Sequence, residues 1–313
     1  MANICLYGTV YNNAPWIEES IKSIWMPDAE IAIVDSYSTD GTWEKLLELR
    51  KDYNLKLYRY KCTRGLGRHI ALCKCPENST TAYFDLDTVY NEAFHKVVEY
   101  SASTGLKILA VGTFTAKREA IIYKSGWRDL NYAEDVEMVS RVGFNAVIPV
   151  VVGRNECMPA FISARERRYG DFRRVIRASV DLLRGTAISL DRLLVNRSKR
   201  GALFYIPARL MGFYRNRKPD NSTWLELASL AKSIRPRDVG VPERYFRFSA
   251  TLMLLKKVDC GEEAIDAFVS QLVDKPVYKL YLRTREIKII YFKNYEWLDK
   301  SYLPLAEKIG LLA

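Results

Sequence analysis

The chain has 313 residues, 49% hydrophobic and 27% charged, a composition that suits one large folded domain or two ordinary ones and excludes a disordered chain. Its formal net charge is +11, yet residues 1–150 carry 17 Lys and Arg against 19 Asp and Glu, whereas residues 151–313 carry 31 against 18. The basicity belongs to the second half, mostly to 151–220 with 16 basic and 6 acidic residues, which calls for an anionic partner there.

In chain order, Ile4–Gly8, Ile31–Val34, Leu55–Tyr58, Thr81–Phe84 and Lys107–Val111 read as short, continuous apolar strands, the pattern of strands covered on both faces. Helices alternate with them. One opens at Pro15 and runs through Ile17, Ile21 and Ile24; a second follows Asp40-Gly41 with Trp43, Leu46, Leu47 and Leu49; a third spans roughly Asn91 to Tyr100. This alternation predicts an α/β domain with a largely parallel sheet, whose ligands sit beyond the carboxyl ends of the strands. Beyond a boundary near 155–170 the pattern becomes mainly helical. Phe172, Val175, Ile176, Val180 and Leu183 keep helical spacing among arginines, further helices are expected at Leu225–Ile234, Arg244–Leu255 and Glu262–Leu272, and Val277–Leu282 with Ile287–Phe292 suits a hairpin.

The six cysteines (Cys5, Cys62, Cys73, Cys75, Cys157, Cys260) show no disulfide or zinc spacing and read as reduced thiols of a cytoplasmic protein. Met1-Ala2-Asn3-Ile4 lacks the basic start of a signal peptide. No apolar stretch reaches the roughly 18 residues of a spanning helix, and Ala202–Tyr214, the nearest, carries Arg209.

The chemistry concentrates where strands end. Thr81-Ala82-Tyr83-Phe84 stops abruptly in Asp85-Leu86-Asp87. In an extended segment residues two apart face one side, so both carboxylates are expected to share one space. Paired anions in a water-poor cleft call for a cation, and oxygen-only ligands suit Mg2+ or Mn2+. Taken alone, the pair reads equally well as two solvated loop aspartates. Asp35, at the end of Ile31-Ala32-Ile33-Val34, stands where a carboxylate can accept from a base or ribose, while Thr39 or Asp40 can serve as a helix cap. Tyr11 follows the first strand in the same way and can stack or pack.

The series Thr9-Val10-Tyr11-Asn12, Val34-Asp35-Ser36-Tyr37-Ser38-Thr39-Asp40-Gly41-Thr42, Gly65-Leu66-Gly67-Arg68-His69, Phe84-Asp85-Leu86-Asp87 and Glu134-Asp135-Val136-Glu137 resembles family 2 glycosyltransferases of GT-A fold in order and spacing, over roughly residues 3–170. The resemblance implies a GT-A nucleotide-sugar domain over 1–160, and the charge and helical spacing leave a basic, mainly helical region over 161–313. It implies that Thr9, Tyr11, Asp35, Arg68 and Asp85 hold the nucleotide, and that Asp85 and Asp87 bind Mn2+ or Mg2+ against the diphosphate. Asp135, after Glu134, is implied as the base that activates the acceptor, with inversion at the anomeric centre. Arg165 and Arg168 loosely resemble a diphosphate-clamping segment of processive members and read equally as a solvated basic face.

The implied partners are a nucleotide-diphosphate sugar and a glycan or lipid-linked acceptor. For the basic half, a surface resting on the anionic inner face of a membrane, a nucleic-acid contact, and a subdomain packing on the catalytic domain or a second copy all stay open. Nucleic acid is the weakest, since no binding module accompanies the charge. A nucleotidyltransferase would share the metal and nucleoside sites, but the turn after the first strand lacks its Gly- and Lys-rich triphosphate loop. A non-catalytic basic protein is the remaining alternative.

Overall fold

The computed structural model describes residues 3–132, 134–154, 181, 231–234 and 236–242, and two short strands at 278–281 and 288–291. The chain runs β1 (Ile4–Val10), α1 (Ile17–Ile24), β2 (Ala29–Asp35), α2 (Thr42–Leu49), β3 (Leu55–Arg59), α3 (Arg64–Lys74) and β4 (Thr80–Tyr83). It continues with β5 (Val89–Tyr90), α4 (Glu92–Thr104), β6 (Ile108–Val111), β7 (Thr113–Lys117), α5 (Arg118–Tyr123), α6 (Glu134–Val142), β8 (Ala146–Val151) and β9 (Gly153–Arg154). Later strands are β10 (Lys232–Ser233), β11 (Tyr278–Tyr281) and β12 (Lys288–Tyr291), with a 3-10 turn at Pro236–Val239.

Eight strands form one sheet in the order β10-β8-β6-β7-β4-β1-β2-β3. Only β7 runs against its neighbours β4 and β6; the other pairings are parallel. The carboxyl ends of the parallel strands therefore share one rim. This is the mixed, mainly parallel α/β sheet expected, and all five anticipated strands are present.

Side-chain alternation explains why the strands are apolar throughout. Cys5, Tyr7, Ala32 and Val34 join one core with Ala71 and Leu72 of α3 and Met138 and Val139 of α6. Ile4, Leu6, Ile31 and Ile33 join the other with α1, α2 and α4. Burying both faces removes the polar positions that would mark a half-exposed strand. In α1, Ile17, Ile21 and Ile24 are wholly buried, as their spacing requires.

Two features depart from expectation. Lys232-Ser233, placed by spacing inside a helix ending at Ile234, instead pairs parallel with Ala146-Val147 at the sheet edge; Ala231, Ile234 and Val241 fill core beneath it. Apolar residues at that spacing suit a buried edge strand as well as a helix. The hairpin around residues 282–287 is present, β11 pairing antiparallel with β12 as its own two-stranded sheet. The helices expected at Phe172–Leu183, Arg244–Leu255 and Glu262–Leu272 lie outside the described residues, save Asp181, which is helical. The thiol expectation is also corrected: Cys5 and Cys75 form a disulfide, because α3 delivers its end onto β1, a juxtaposition invisible in spacing. Cys62 and Cys73 are free.

Candidate active site

The loops after β1 and β2 are laced together at the rim. The Asn12 N–H donates to the Ser38 hydroxyl at 2.9 Å, Asn13 N–H to the Thr42 hydroxyl at 2.7 Å, and Ala14 N–H to Asp40 at 3.1 Å. The Asn13 side-chain amide donates to the Leu86 carbonyl, tying both loops to the end of β4. Burial alone would raise the Asp40 pKa, but bonds from the Thr42 hydroxyl and the Ala14 and Thr42 N–H groups outweigh it and hold the carboxyl below its usual range. Asn12 and Tyr37 adopt left-handed backbone at φ 53° and 57°, a conformation that β-carbon residues take rarely and at functional loops.

On this frame Tyr11 is 54% exposed, free to meet a ligand, whereas the Thr9 hydroxyl donates to the Val34 carbonyl at 3.0 Å. Asp35 is wholly buried. Both of its oxygens accept from the Ser38 N–H, and Oδ2 also takes Arg59 Nε at 3.0 Å. Arg59 closes β3 and escaped the sequence reading. Its signal was the alternation Leu55, Leu57, Arg59 on a strand whose last residue stands opposite Asp35.

The Asp85-Leu86-Asp87 segment is a turn, not an extended run: Thr88 N–H donates back to the Asp85 carbonyl at 3.2 Å. The same-side expectation therefore fails in its premise. Leu86 nonetheless sinks into the core while Asp85 and Asp87 stay partly exposed on either side. Tyr90, another missed residue, accepts the Asp85 N–H on its hydroxyl at 2.7 Å, and burial pushes that phenol well up, so it stays neutral.

Asp85 is held by Arg68, whose other arm reaches Glu134 at 3.0 Å. Arg68 is 1% exposed, with its guanidinium 4.6 Å from the Tyr83 ring and 4.8 Å from the Trp127 ring. Burial opposes its charge, but Asp85 and Glu134, joined by Asp135, hold its pKa above the usual value. Glu134 opens α6 and meets Arg64 as well at 3.6 Å; burial pushes its carboxyl up. Asp135 is partly exposed beside it, with Oδ1 accepting the Val136 N–H at 2.8 Å. The fold thus gathers Arg68, Asp85, Glu134 and Asp135 from α3, the β4 end and α6. Arg165 and Arg168 lie outside the described residues.

Two glycines of α3 let that helix close on the segment leading to α6 and on β1. A β-carbon on Gly65 would lie 2.0 Å from the Arg128 carbonyl oxygen, and one on Gly67 2.2 Å from Thr9 Oγ1. Gly65 N–H also donates to the Leu130 carbonyl at 2.8 Å. Further along, Glu137, wholly buried, binds Arg128 at 2.9 Å and Arg141 at 2.6 Å. His69 packs on Gly126, and burial, reinforced by Arg141, holds its pKa down, a neutral packing residue.

For a divalent ion the donor set is hard oxygen, and carboxylates Asp85, Asp87, Glu134 and Asp135 outnumber the guanidiniums of Arg64 and Arg68. No group of three or more metal-ligating side chains occurs among the described residues. Asp85 and Asp87 therefore fit an ion only as a partial shell, completed by phosphate oxygens and water, which is the habit of Mg2+.

The family model described as Glycosyl transferase family 2 matches residues 9–147. No curated protein matches. Among solved structures, the chain is similar to the mannosyltransferase PcManGT from Pyrobaculum calidifontis, in complex with GDP-Man and Mn2+. Identity there is 17% over 87% of this chain and 88% of that one, with a TM-score of 0.45. It is also similar to S. aureus TarS 1–349 in complex with UDP-GlcNAc, at 17% identity over 95% and 100% of the two chains and a TM-score of 0.44. Against the longer S. aureus TarS chain, this one spans 54% of the length, at 17% identity and a TM-score of 0.44.

Proposed function

We propose, from the premise that residues 9–147 of this chain belong to glycosyl transferase family 2, that it moves a sugar from a nucleotide-diphosphate donor to an acceptor hydroxyl or phosphate, with inversion. The observation that carries this reading is the Arg68 bridge, which fixes a carboxylate of the β4 turn, Asp85, to Glu134 at the start of α6. Donor-side and acceptor-side groups are thereby locked in one place, as displacement at a sugar carbon requires.

In this reading the rim of β1 and β2 takes the nucleoside, Tyr11 offering a ring for the base. Asp85 and Asp87 would hold Mn2+ or Mg2+, which when bound supplies positive charge against the departing diphosphate. Asp135 accepts the proton of the attacking hydroxyl. Glu134 is a poor base by comparison, being buried and committed to Arg68 and Arg64. Asp135 alone of the two has solvent contact from which an acceptor can approach.

The test is a thermal-shift screen of nucleoside diphosphates with and without Mn2+. One of them should raise Tm in a metal-dependent way, and Asp87→Ala should remove the metal dependence; a flat response across the panel sinks the nucleotide site. Asp135→Asn should lower transfer by two to four orders of magnitude, roughly the worth of a general base, with donor binding unchanged. Lost binding would mean the base is elsewhere. For the basic second half we propose contact with an anionic membrane face bearing a lipid-linked acceptor. Liposome sedimentation that responds to neither anionic lipid nor salt would remove it.

A further inference from the structure

We infer that Arg59, anchored by Asp35, is the group that reads the nucleobase, and that it selects bases presenting a carbonyl oxygen over adenine. The inference rests on the nucleoside reading of the β1–β3 rim given above. Asp35 has no exposure to a ligand. Its oxygens face the Ser38 N–H at 3.2 and 3.1 Å and Arg59 Nε at 3.0 Å. A carboxylate used in this way is an orienting group for the arginine rather than an acceptor for a base.

Arg59 stands opposite it in register and is partly exposed. The guanidinium carries five N–H donors in a rigid plane. One goes to Asp35 and one from Nη2 to the Ser38 carbonyl at 2.9 Å, while Nη1 meets no acceptor among the described residues. The side chain keeps 32% exposure. Its plane is held on two further sides, since the Tyr37 and Trp43 rings each lie 5.1 Å from the guanidinium carbon. Tyr37 reaches that position through its left-handed backbone. Around this fixed donor, the ends of β1, β2 and β3 expose Tyr11 at 54%, Tyr37 at 53% and Tyr60 at 45%, rings on which a flat base can lie.

A fixed pair of N–H donors calls for an acceptor. Uracil, cytosine and guanine each carry an exocyclic carbonyl oxygen that can accept from a guanidinium; adenine carries none and offers an exocyclic amino donor and ring nitrogens instead. A site built to satisfy a hydrogen bond rejects a ligand that leaves it unmade.

The experiment measures binding of UDP, CDP, GDP, ADP and inorganic pyrophosphate to the full chain with Mn2+, by calorimetry. In the wild type at least one carbonyl-bearing diphosphate should bind about tenfold or more tighter than ADP, a modest hydrogen-bond discrimination. Arg59→Lys keeps a cation on Asp35 but lacks the outward fork. It should bring that ratio within about threefold, leaving pyrophosphate affinity and Tm near the wild-type values. Equal ADP binding by the wild type, or full discrimination retained by Arg59→Lys, overturns the inference while leaving the nucleotide site standing. Absence of binding by every diphosphate and by pyrophosphate overturns both. Asp35→Asn separates the two groups. If the carboxylate itself read the base, this variant would lose discrimination while Arg59→Lys kept it; loss in both is the expected result.

Discussion

Arg68 occupies a position that is unfavourable for a lone cation and favourable for a clamped one: 2% side-chain exposure, carboxylates on two sides, aromatic faces around it. Removing it in Arg68→Met leaves Glu134 buried with only the longer contact to Arg64. Urea unfolding should register a loss of about 3–5 kcal/mol, the usual result of stripping one partner from a buried pair. The sign with pH follows from Glu134, whose carboxyl is already pushed up by burial and pulled down by Arg68. Without Arg68 its folded pKa rises further above the unfolded one. Such an acid retains its stability below the unfolded pKa and loses it as pH rises through the folded pKa. The deficit of Arg68→Met should therefore be larger at pH 7 than at pH 4; a deficit that grew on acidification would contradict this account. Asp85 was singled out in the sequence because it ends the apolar run Thr81–Phe84, and Glu134 and Asp135 only through the family resemblance of their segment. Arg59 and Tyr90 were not, since their roles come from cross-strand register and from a turn that only the folded chain defines.

Among the elements, α3 was the hardest to see as a helix, since two glycines in its first turns each cost about 1 kcal/mol relative to Ala. The structure returns a reason for them. The missing side chains let α3 rest directly on the Arg128–Leu130 backbone and on Thr9, and the Thr63 cap couples the same helix to Asp129 through a 2.6 Å bond. Gly65→Ala has a backbone oxygen, not a flexible side-chain tip, in its way. Overpacking of this kind costs about 1–3 kcal/mol, and we expect Gly65→Ala to lower Tm accordingly. Activity should fall more than donor binding does, because the displaced segment leads into Asp135. Equal losses in both would show that α3 instead moves as a unit with the nucleotide loops.

For the whole molecule, the strand and helix alternation of the first half was readable because the inner strands β1, β2 and β4 are buried on both faces. The β10 edge and the Cys5–Cys75 link were not, as both join residues distant in sequence. The disulfide closes a loop with a sequence separation of 70 and ties the central strand to the far end of α3. Reduction, followed by urea unfolding, should remove about 2–4 kcal/mol; an unchanged midpoint would mean that the core holds these elements without it. Because such bonds are commoner in oxidising compartments than in cytosol, the cytoplasmic expectation loses the support it drew from free thiols.

One strand sets how the two halves of the rim are made. β7 enters the sheet at the rim through Gly112, at φ 100°, and runs backwards, so the chain leaves it at the opposite edge. The stretch bearing Trp127, Glu134 and Asp135 must then climb back along the helical layer to return. Tyr11 and Asp87 thus follow strand ends, whereas Asp135 stands on α6, whose leading segment meets α3 at Gly65. On the proposed function, amino-acid changes along that returning climb bear first on which acceptor is attacked, and reach the donor side only through the Arg68 bridge.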